Sequence, residues 1–216
     1  MNREDAMTIE LWLAFATASV VMLLIPGPTI LTVISYSVAH GKKANIPLVL
    51  AVALGDSTAL ALSLLGLGAL LATSSLWFVV IKWAGGLYLL YLGIKLLRAG
   101  TSNTEIIEAP VQLGSTWKLF ANTWLVTALN PKGIVFFVAF LPQFLNRAEP
   151  AIGQLWILSL TFVVLAALNA TLYAVFAGTA RRLLSSAAAQ KRFNLAGGSM
   201  LSMAGLWALT AKQPAT

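Results

Sequence analysis

The sequence predicts an all-α integral membrane protein of six transmembrane helices, arranged as two inverted three-helix repeats with broken first and fourth helices. Composition is the first reason: 59% of the 216 residues are hydrophobic, 10% are charged and the mean hydropathy is +0.85. A soluble domain carries about a quarter charged residues. Six long apolar segments are the second reason, because a helix needs about 20 residues to cross a bilayer. The third is a glycine motif that occurs twice, 112 residues apart.

The first span is predicted from about Ile9 to Ser37, with a break at Pro26-Gly27-Pro28. Each proline lacks a backbone N–H and clashes with the preceding turn, and the glycine adds backbone freedom. In lipid, broken backbone is tolerated only where it is buried in protein or lines a wet cavity. The triplet is therefore a packing kink or a binding site, and the rest of the chain favours a binding site.

The second span, about Ile46 to Ala72, has one charged residue, Asp56, near its middle. The third span is predicted from about Leu76 to Leu97. A polar linker at about 99–117 follows and is the longest segment without apolar character. It divides the single transmembrane domain, residues 1–216, into a first repeat at about 8–98 and a second at about 118–211.

The second repeat also contains three predicted spans. The fourth span is broken at Asn130-Pro131-Lys132-Gly133, in the position that answers the break in the first span, and Asn169 lies in the middle of the fifth. The fourth span runs from about Leu119 to Leu145 and is broken a second time near Pro142. The fifth runs from about Ile152 to Gly178, and the sixth from about Phe193 to Ala211.

An internal repeat relates the two halves. Ala84-Gly85-Gly86 with Gly93 recurs as Ala196-Gly197-Gly198 with Gly205, and we interpret these glycines as helix-packing residues. Asp56 and Asn169 are 113 residues apart, and Pro26 and Pro131 are 105 apart. Because three spans are an odd number, the second half must enter from the opposite side, as in many secondary transporters. The alternative is chance similarity between glycine-rich apolar segments.

Orientation follows from the distribution of lysine and arginine. Nine of the 14 fall on one side of the predicted bilayer, four fall on the other, and Lys132 lies within a span. The nine are Lys42, Lys43, Lys95, Arg98, Lys118, Arg181, Arg182, Lys191 and Arg192; the four are Arg3, Lys82, Arg147 and Lys212. The positive-inside rule then predicts that both termini are periplasmic. The net charge of +7 therefore reports orientation and does not indicate nucleic-acid binding.

Asp56 and Lys132 are the charged candidates for a substrate site. A carboxylate in mid-span costs about 2.5–3.5 kcal/mol on insertion scales and marks a functional site by default. A protonated Asp56 making a structural hydrogen bond is the alternative. Lys132 has three open roles: pairing with Asp56, holding a substrate carboxylate, or reaching the membrane interface.

Polar groups at the two breaks complete the predicted site. Asn130 and Asn169 can donate and accept hydrogen bonds, although either could serve only to hold helices together. A half-helix that begins after Pro28 or Pro131 presents N–H groups and a positive dipole end, which favour an anion. Together with Asp56, which favours a cation, the breaks predict a site for a zwitterion such as an α-amino acid.

Several classes of site are absent from the sequence. There is no cysteine, and His40 has no second histidine near it, so neither a metal site nor a cofactor is predicted. No nucleotide-binding motif is present. No serine has a histidine partner for nucleophilic catalysis, so an enzyme is not expected.

The chain resembles the LysE/RhtB family of bacterial amino-acid exporters. The resemblance covers essentially the whole chain and rests on an ordered set of motifs rather than on any single one. The motifs are Pro26-Gly27-Pro28, Gly55-Asp56, residues 84–95 (AGGLYLLYLGIK), Asn130-Pro131-Lys132 and Phe140-Leu141-Pro142-Gln143-Phe144. The resemblance implies export of amino acids or close derivatives across the bacterial inner membrane, driven by the proton gradient.

These expectations combine into one hypothesis. The residues Pro26, Gly27, Pro28, Asp56, Asn130, Pro131, Lys132 and Asn169 bind an amino acid, and Asp56 also binds the coupled proton. A basic substrate would need a second acid, so neutral amino acids are favoured. The alternatives are a metal-ion exporter, for which one buried carboxylate makes a poor cage, and a structural or assembly protein that transports nothing. The sequence leaves open whether the protein forms a homo-oligomer.

Overall fold

The computed structural model describes residues 7–73, 75–98, 115–146, 149–180 and 186–210. Within these residues every regular element is helical, which confirms the all-α prediction. Most of the predicted linker, residues 99–114, lies outside the described residues, as do Arg3, Arg147, Arg181, Arg182, Ala211 and Lys212.

The helices follow the predicted spans closely. In chain order they are α1 (Ile9–Leu24), α2 (Pro28–His40), a 3-10 turn (Gly41–Ala44), α3 (Asn45–Thr73), α4 (Ser75–Arg98), α5 (Thr116–Ala128), α6 (Pro131–Val135), a π-helical segment (Phe136–Phe140), a 3-10 turn (Leu141–Phe144), α7 (Ala151–Val175) and α8 (Ala187–Thr210). The last helix begins six residues before the predicted start of the sixth span at Phe193.

Three helical stretches among the described residues are long and apolar enough to cross a membrane: Pro28–Gly66, Thr116–Phe144 and Ala151–Val175. Their outer surfaces carry large exposed apolar side chains, of which Leu65 and Trp156 are examples. A row of exposed apolar side chains is stable against lipid rather than water. The three stretches are therefore the clear membrane-spanning part of the fold.

Two of the three predicted interruptions next to prolines are real breaks in the helices. The first span ends as α1 at Leu24 and restarts as α2, with Pro28 in the first helical position, where its missing N–H leaves no bond unmade. The fourth span stops at Ala128 and restarts at Pro131, with Asn130 as the N-cap of α6. The predicted second break near Pro142 is not an interruption: the chain stays helical to Phe144, changing from a π-helical segment to a 3-10 turn.

Helices α4 and α8 pack backbone against backbone through the repeated glycines. A Cβ added to Gly86 would lie 3.3 Å from the carbonyl oxygen of Gly205, and one added to Gly93 would lie 2.8 Å from that of Gly198. The first of the two glycines in one helix thus contacts the second of the two in the other, so the helices are antiparallel. The predicted packing role of these four glycines is confirmed.

A cluster of six phenylalanines fills the core on the side of the breaks from which α1 and α7 begin. Its members are Phe15, Phe136, Phe137, Phe140, Phe144 and Phe162. Phe137 and Phe162 meet edge-on with ring centroids 4.7 Å apart, a favoured aromatic geometry. We call this group the phenylalanine cluster.

Candidate functional site

The two helix breaks meet around one small cavity. Five of the eight predicted site residues line it: Gly27, Asp56, Asn130, Lys132 and Asn169. The three prolines do not line it; their part is to end one helix and to start the next. The cavity volume is about 30 Å³, which is room for about one to two water molecules. In this conformation the cavity is therefore smaller than an amino acid.

The end of α1 leaves four backbone carbonyls without their usual helical donors. In a continuous helix the carbonyl of Met22 would accept from residue 26 and that of Leu24 from residue 28, but both positions are proline and have no N–H. The carbonyls of Leu23 and Ile25 also lose their partners because the helix stops. Carbonyls that stay unpaired in a buried site are costly, so the fold must supply other donors.

Three side chains from the second half of the chain donate hydrogen bonds to these four carbonyls. The Lys132 ammonium donates to Met22 O at 2.9 Å and to Ile25 O at 2.7 Å. The Asn169 amide donates to Leu23 O at 3.2 Å, and the Tyr173 hydroxyl donates to Leu24 O at 3.0 Å. A positive charge also suits the negative end of the α1 dipole. We call these four acceptors the α1-end carbonyls.

Asn130 joins the second break to the first. Its Oδ1 accepts a hydrogen bond from the Lys132 backbone N–H at 3.1 Å, which caps α6. Its Nδ2 donates to Thr29 Oγ1 at 3.1 Å, in the first turn of α2. Lys132 and Asn130 therefore connect the two breaks at adjacent points.

Asp56 reaches the cavity from α3 and is buried, with 7% of its surface exposed. It lines the same cavity as Lys132. Its neighbour Gly55 holds α3 tightly against α5: a Cβ there would lie 2.6 Å from Thr127 Cβ and 2.9 Å from Trp124 O. The absence of a side chain at Gly55 thus sets the depth at which the Asp56 carboxyl lies.

Some residues around the cavity were not among the predicted site residues. Thr29 and Tyr173 take part in the polar contacts, and Phe162 forms part of an apolar wall. Tyr173 follows Asn169 by four residues, so helical periodicity could have placed both on one face. Nothing in the local sequence marks Phe162, because its position depends on how α7 packs against the phenylalanine cluster.

The cavity has two chemically distinct sides. Asp56, Lys132, Asn130 and Thr29 give it charge and hydrogen-bonding capacity, while Ile30, Val52, Phe162 and Ala166 give it an apolar wall. Among the described residues, no group of three or more His, Cys, Asp or Glu side chains could hold a metal ion. The cavity therefore presents charged groups on one side and an apolar surface on the other.

Comparisons with known proteins agree with this architecture. The sequence profile of the family described as LysE type translocator matches residues 20–212. The homoserine/homoserine lactone efflux protein of Salmonella typhimurium is 32% identical over 199 residues, covering 92% of this chain and 96% of that protein. The protein of the same name from Salmonella typhi is 31% identical, with the same coverage.

An uncharacterized membrane protein of Vibrio cholerae is 32% identical over 212 residues, covering 95% of this chain and all of that protein. No solved structure matches the chain significantly. The profile match spans both helix breaks and the residues that line the cavity between them. The chain is a membrane transporter and belongs to the LysE type translocator family.

Proposed function

We propose that this protein exports neutral amino acids or their close derivatives across the bacterial inner membrane in exchange for protons. The observation that carries the proposal is that two helix breaks converge on one cavity with a single acid and a single base. Broken helices that meet in this way form the substrate sites of many secondary transporters. The relatives named as homoserine/homoserine lactone efflux proteins support a substrate of this size and charge.

In this proposal Asp56 binds the substrate's ammonium group, and the start of α2 binds its carboxylate. The first turn of α2 offers the N–H groups of Thr29 and Ile30, both of which line the cavity. Lys132 uses two of its three N–H donors on the α1-end carbonyls, so one donor is left for a carboxylate. The apolar wall faces the substrate side chain, which fits a neutral substrate better than a basic one.

Proton coupling in this proposal also belongs to Asp56. A single buried carboxyl can hold either a proton or a substrate ammonium, but not both at once. Export would then proceed when the substrate leaves Asp56 on the periplasmic side and a proton takes its place. The proton returns to the cytoplasm when the next substrate binds, which couples one flux to the other.

The proposed topology is a six-span inverted repeat, with repeats at about 8–98 and 118–211 and both termini in the periplasm. Two contacts support it. Helices α4 and α8, the third members of each half, pack antiparallel through equivalent glycines. In addition, Asn169 of the second half contacts the break of the first, while Gly55, next to Asp56 in the first half, packs against the helix that precedes the second break. Alternating access would come from rocking one half against the other.

Two features favour entry from the lysine-rich side, the proposed cytoplasmic side. On that side of the cavity Asn122 donates a hydrogen bond to the Tyr36 hydroxyl at 3.0 Å. The next residue along the chain from each, Ser37 and Thr123, is buried, and the hydroxyls of these two side chains have no hydrogen-bond partner among the described residues. Buried hydroxyls of this kind are usually satisfied by water. On the opposite side the phenylalanine cluster closes the route, with Phe162 in both the cavity wall and the cluster.

Counterflow in proteoliposomes tests the proposed function. Vesicles are loaded with one unlabelled neutral amino acid, homoserine among them, and the same labelled compound is supplied outside, with and without a pH gradient. We expect accelerated uptake that responds to the gradient and is lost in Asp56→Asn. Silence across the panel, from protein shown to be folded, would refute an amino-acid carrier, and uptake unaffected by Asp56→Asn would refute the assigned role of that residue.

A further inference from the structure

The α1-end carbonyls have the features of a cation site. Met22 O and Ile25 O converge on one point, at 2.9 and 2.7 Å from the Lys132 ammonium nitrogen. The negative end of the α1 dipole points at the same place, and the Asp56 carboxyl lines the same cavity. In carriers with broken helices, unwound carbonyls and helix C-termini of this kind coordinate an alkali cation.

Lys132 occupies this position as a tethered cation. The side chain comes from the other half of the molecule, 107 and 110 residues away from its two acceptors. The side chain runs along Gly27: a Cβ there would lie in van der Waals contact with it, 3.5 Å from the ammonium nitrogen and 3.6 Å from Cε. The lysine is thus enclosed by the first break rather than extended towards the membrane interface, and it joins the two breaks.

We propose that Met22 O and Ile25 O, beside the cavity that the Asp56 carboxyl lines, form a monovalent-cation site that the Lys132 ammonium fills in place of Na⁺. The wild-type protein therefore needs no alkali ion to hold its two helix breaks together. A shorter, uncharged side chain at this position would leave one buried carboxylate and two carbonyls without a cation, and Na⁺ would enter. The transport part of this inference rests on the proposed function; the ion-binding part does not.

The direct test compares melting temperatures in Na⁺, K⁺ and choline at equal ionic strength. We expect Lys132→Ala to gain a saturable rise of about 3–8 °C in Na⁺ over choline, since ligand binding to the folded state raises its stability. Lys132→Met removes the charge but fills the space, so it should respond little. Asn169→Ala removes the donor to another of the α1-end carbonyls, Leu23 O, yet keeps the Lys132 ammonium, and it should not respond specifically to Na⁺.

Three results would overturn the proposal: no Na⁺ response in Lys132→Ala, equal responses in the alanine and methionine variants, or a saturable Na⁺ response in the wild type. The last measurement needs no variant, so the proposal stays testable even if Lys132→Ala does not fold. In counterflow, Lys132→Ala should be slower than the wild type because it lacks the donor assigned to the substrate carboxylate, and the transport that remains should require Na⁺ and be lost in choline. If the wild type carries no amino acid at all, the proposed function fails while the melting temperatures still decide the ion site.

Discussion

Alanine at Gly55 should drive apart two helices that position the Asp56 carboxyl. The added Cβ would lie 2.6 Å from Thr127 Cβ and 2.9 Å from the Trp124 carbonyl oxygen. Carbon atoms in contact are normally about 3.5–4.0 Å apart, so α3 and α5 must separate by about 1 Å. Overpacking of this kind costs about 1–3 kcal/mol. Because one of the two neighbours is backbone, a change of rotamer does not relieve it.

Gly153→Ala is the matched control, because a Cβ at that position meets nothing within 4 Å. Both substitutions replace a helical glycine by alanine, so the gain in helix propensity largely cancels between them. The difference in free energy of unfolding then reports the steric term alone. For a chain of this length, about 1–3 kcal/mol corresponds to a difference in melting temperature of about 2–12 °C.

The assay is thermal unfolding of the purified variants together with counterflow at one substrate concentration. Gly55→Ala should melt below Gly153→Ala and should transport more slowly, because the displaced α3 carries Asp56. The double variant Gly55→Ala/Thr127→Gly should recover part of the loss, since it removes the Cβ and Cγ2 atoms in the way but leaves the Trp124 carbonyl. Equal melting temperatures for the two alanine variants, with full transport by Gly55→Ala, would refute the reasoning.

Three further predictions follow from the site and the packing. Asp56→Asn should insert and fold but lose at least about 90% of gradient-driven transport, since the amide does not titrate and lacks the negative charge that attracts an ammonium group; insertion is checked by the yield of monodisperse protein. Asn130→Ala and Thr29→Val should each destabilise by about 1 kcal/mol, and a double-mutant cycle should show a coupling of about 0.5–1.5 kcal/mol, because both remove the same hydrogen bond; strictly additive melting shifts would contradict this. Gly93→Val should prevent close approach of α4 and α8 and lower the melting temperature, whereas Gly66→Val, with nothing within 4 Å of the added Cβ, should have little effect; a reversed order would be inconsistent with the glycine contact.

Local chemistry made much of this fold predictable. Proline, glycine and the apolar runs determine where helices start and stop, and the predicted limits of the second and third spans differ from α3 and α4 by one residue at each end. The rarity of charge inside a membrane span singled out Asp56 and Lys132, and both line the cavity. These features depend on residues close together in the chain.

The contacts made across the chain were not predictable in the same way. The sequence left three roles open for Lys132, and the contacts that the structure shows are with the carbonyls of α1. Those acceptors are backbone atoms, which have no signature in the sequence. The same reason applies to Asn169, whose partner is Leu23 O. Missing donors can be deduced from two prolines, but the side chains that replace them depend on tertiary packing.

The contact between α4 and α8 bears on how such a protein could arise. Adding 112 to Gly86 and Gly93 gives Gly198 and Gly205, so exchanging the two halves turns each of the two glycine contacts into the other. Under the proposed inverted repeat, a three-helix ancestor could have used this one surface to pair with a second copy of itself in the opposite orientation in the membrane. Fusion of two such genes would fix the pairing and free each copy to change alone. Under the same proposal, Asp56 and Asn169 are equivalent positions 113 residues apart, at which one copy has a carboxyl group and the other an amide.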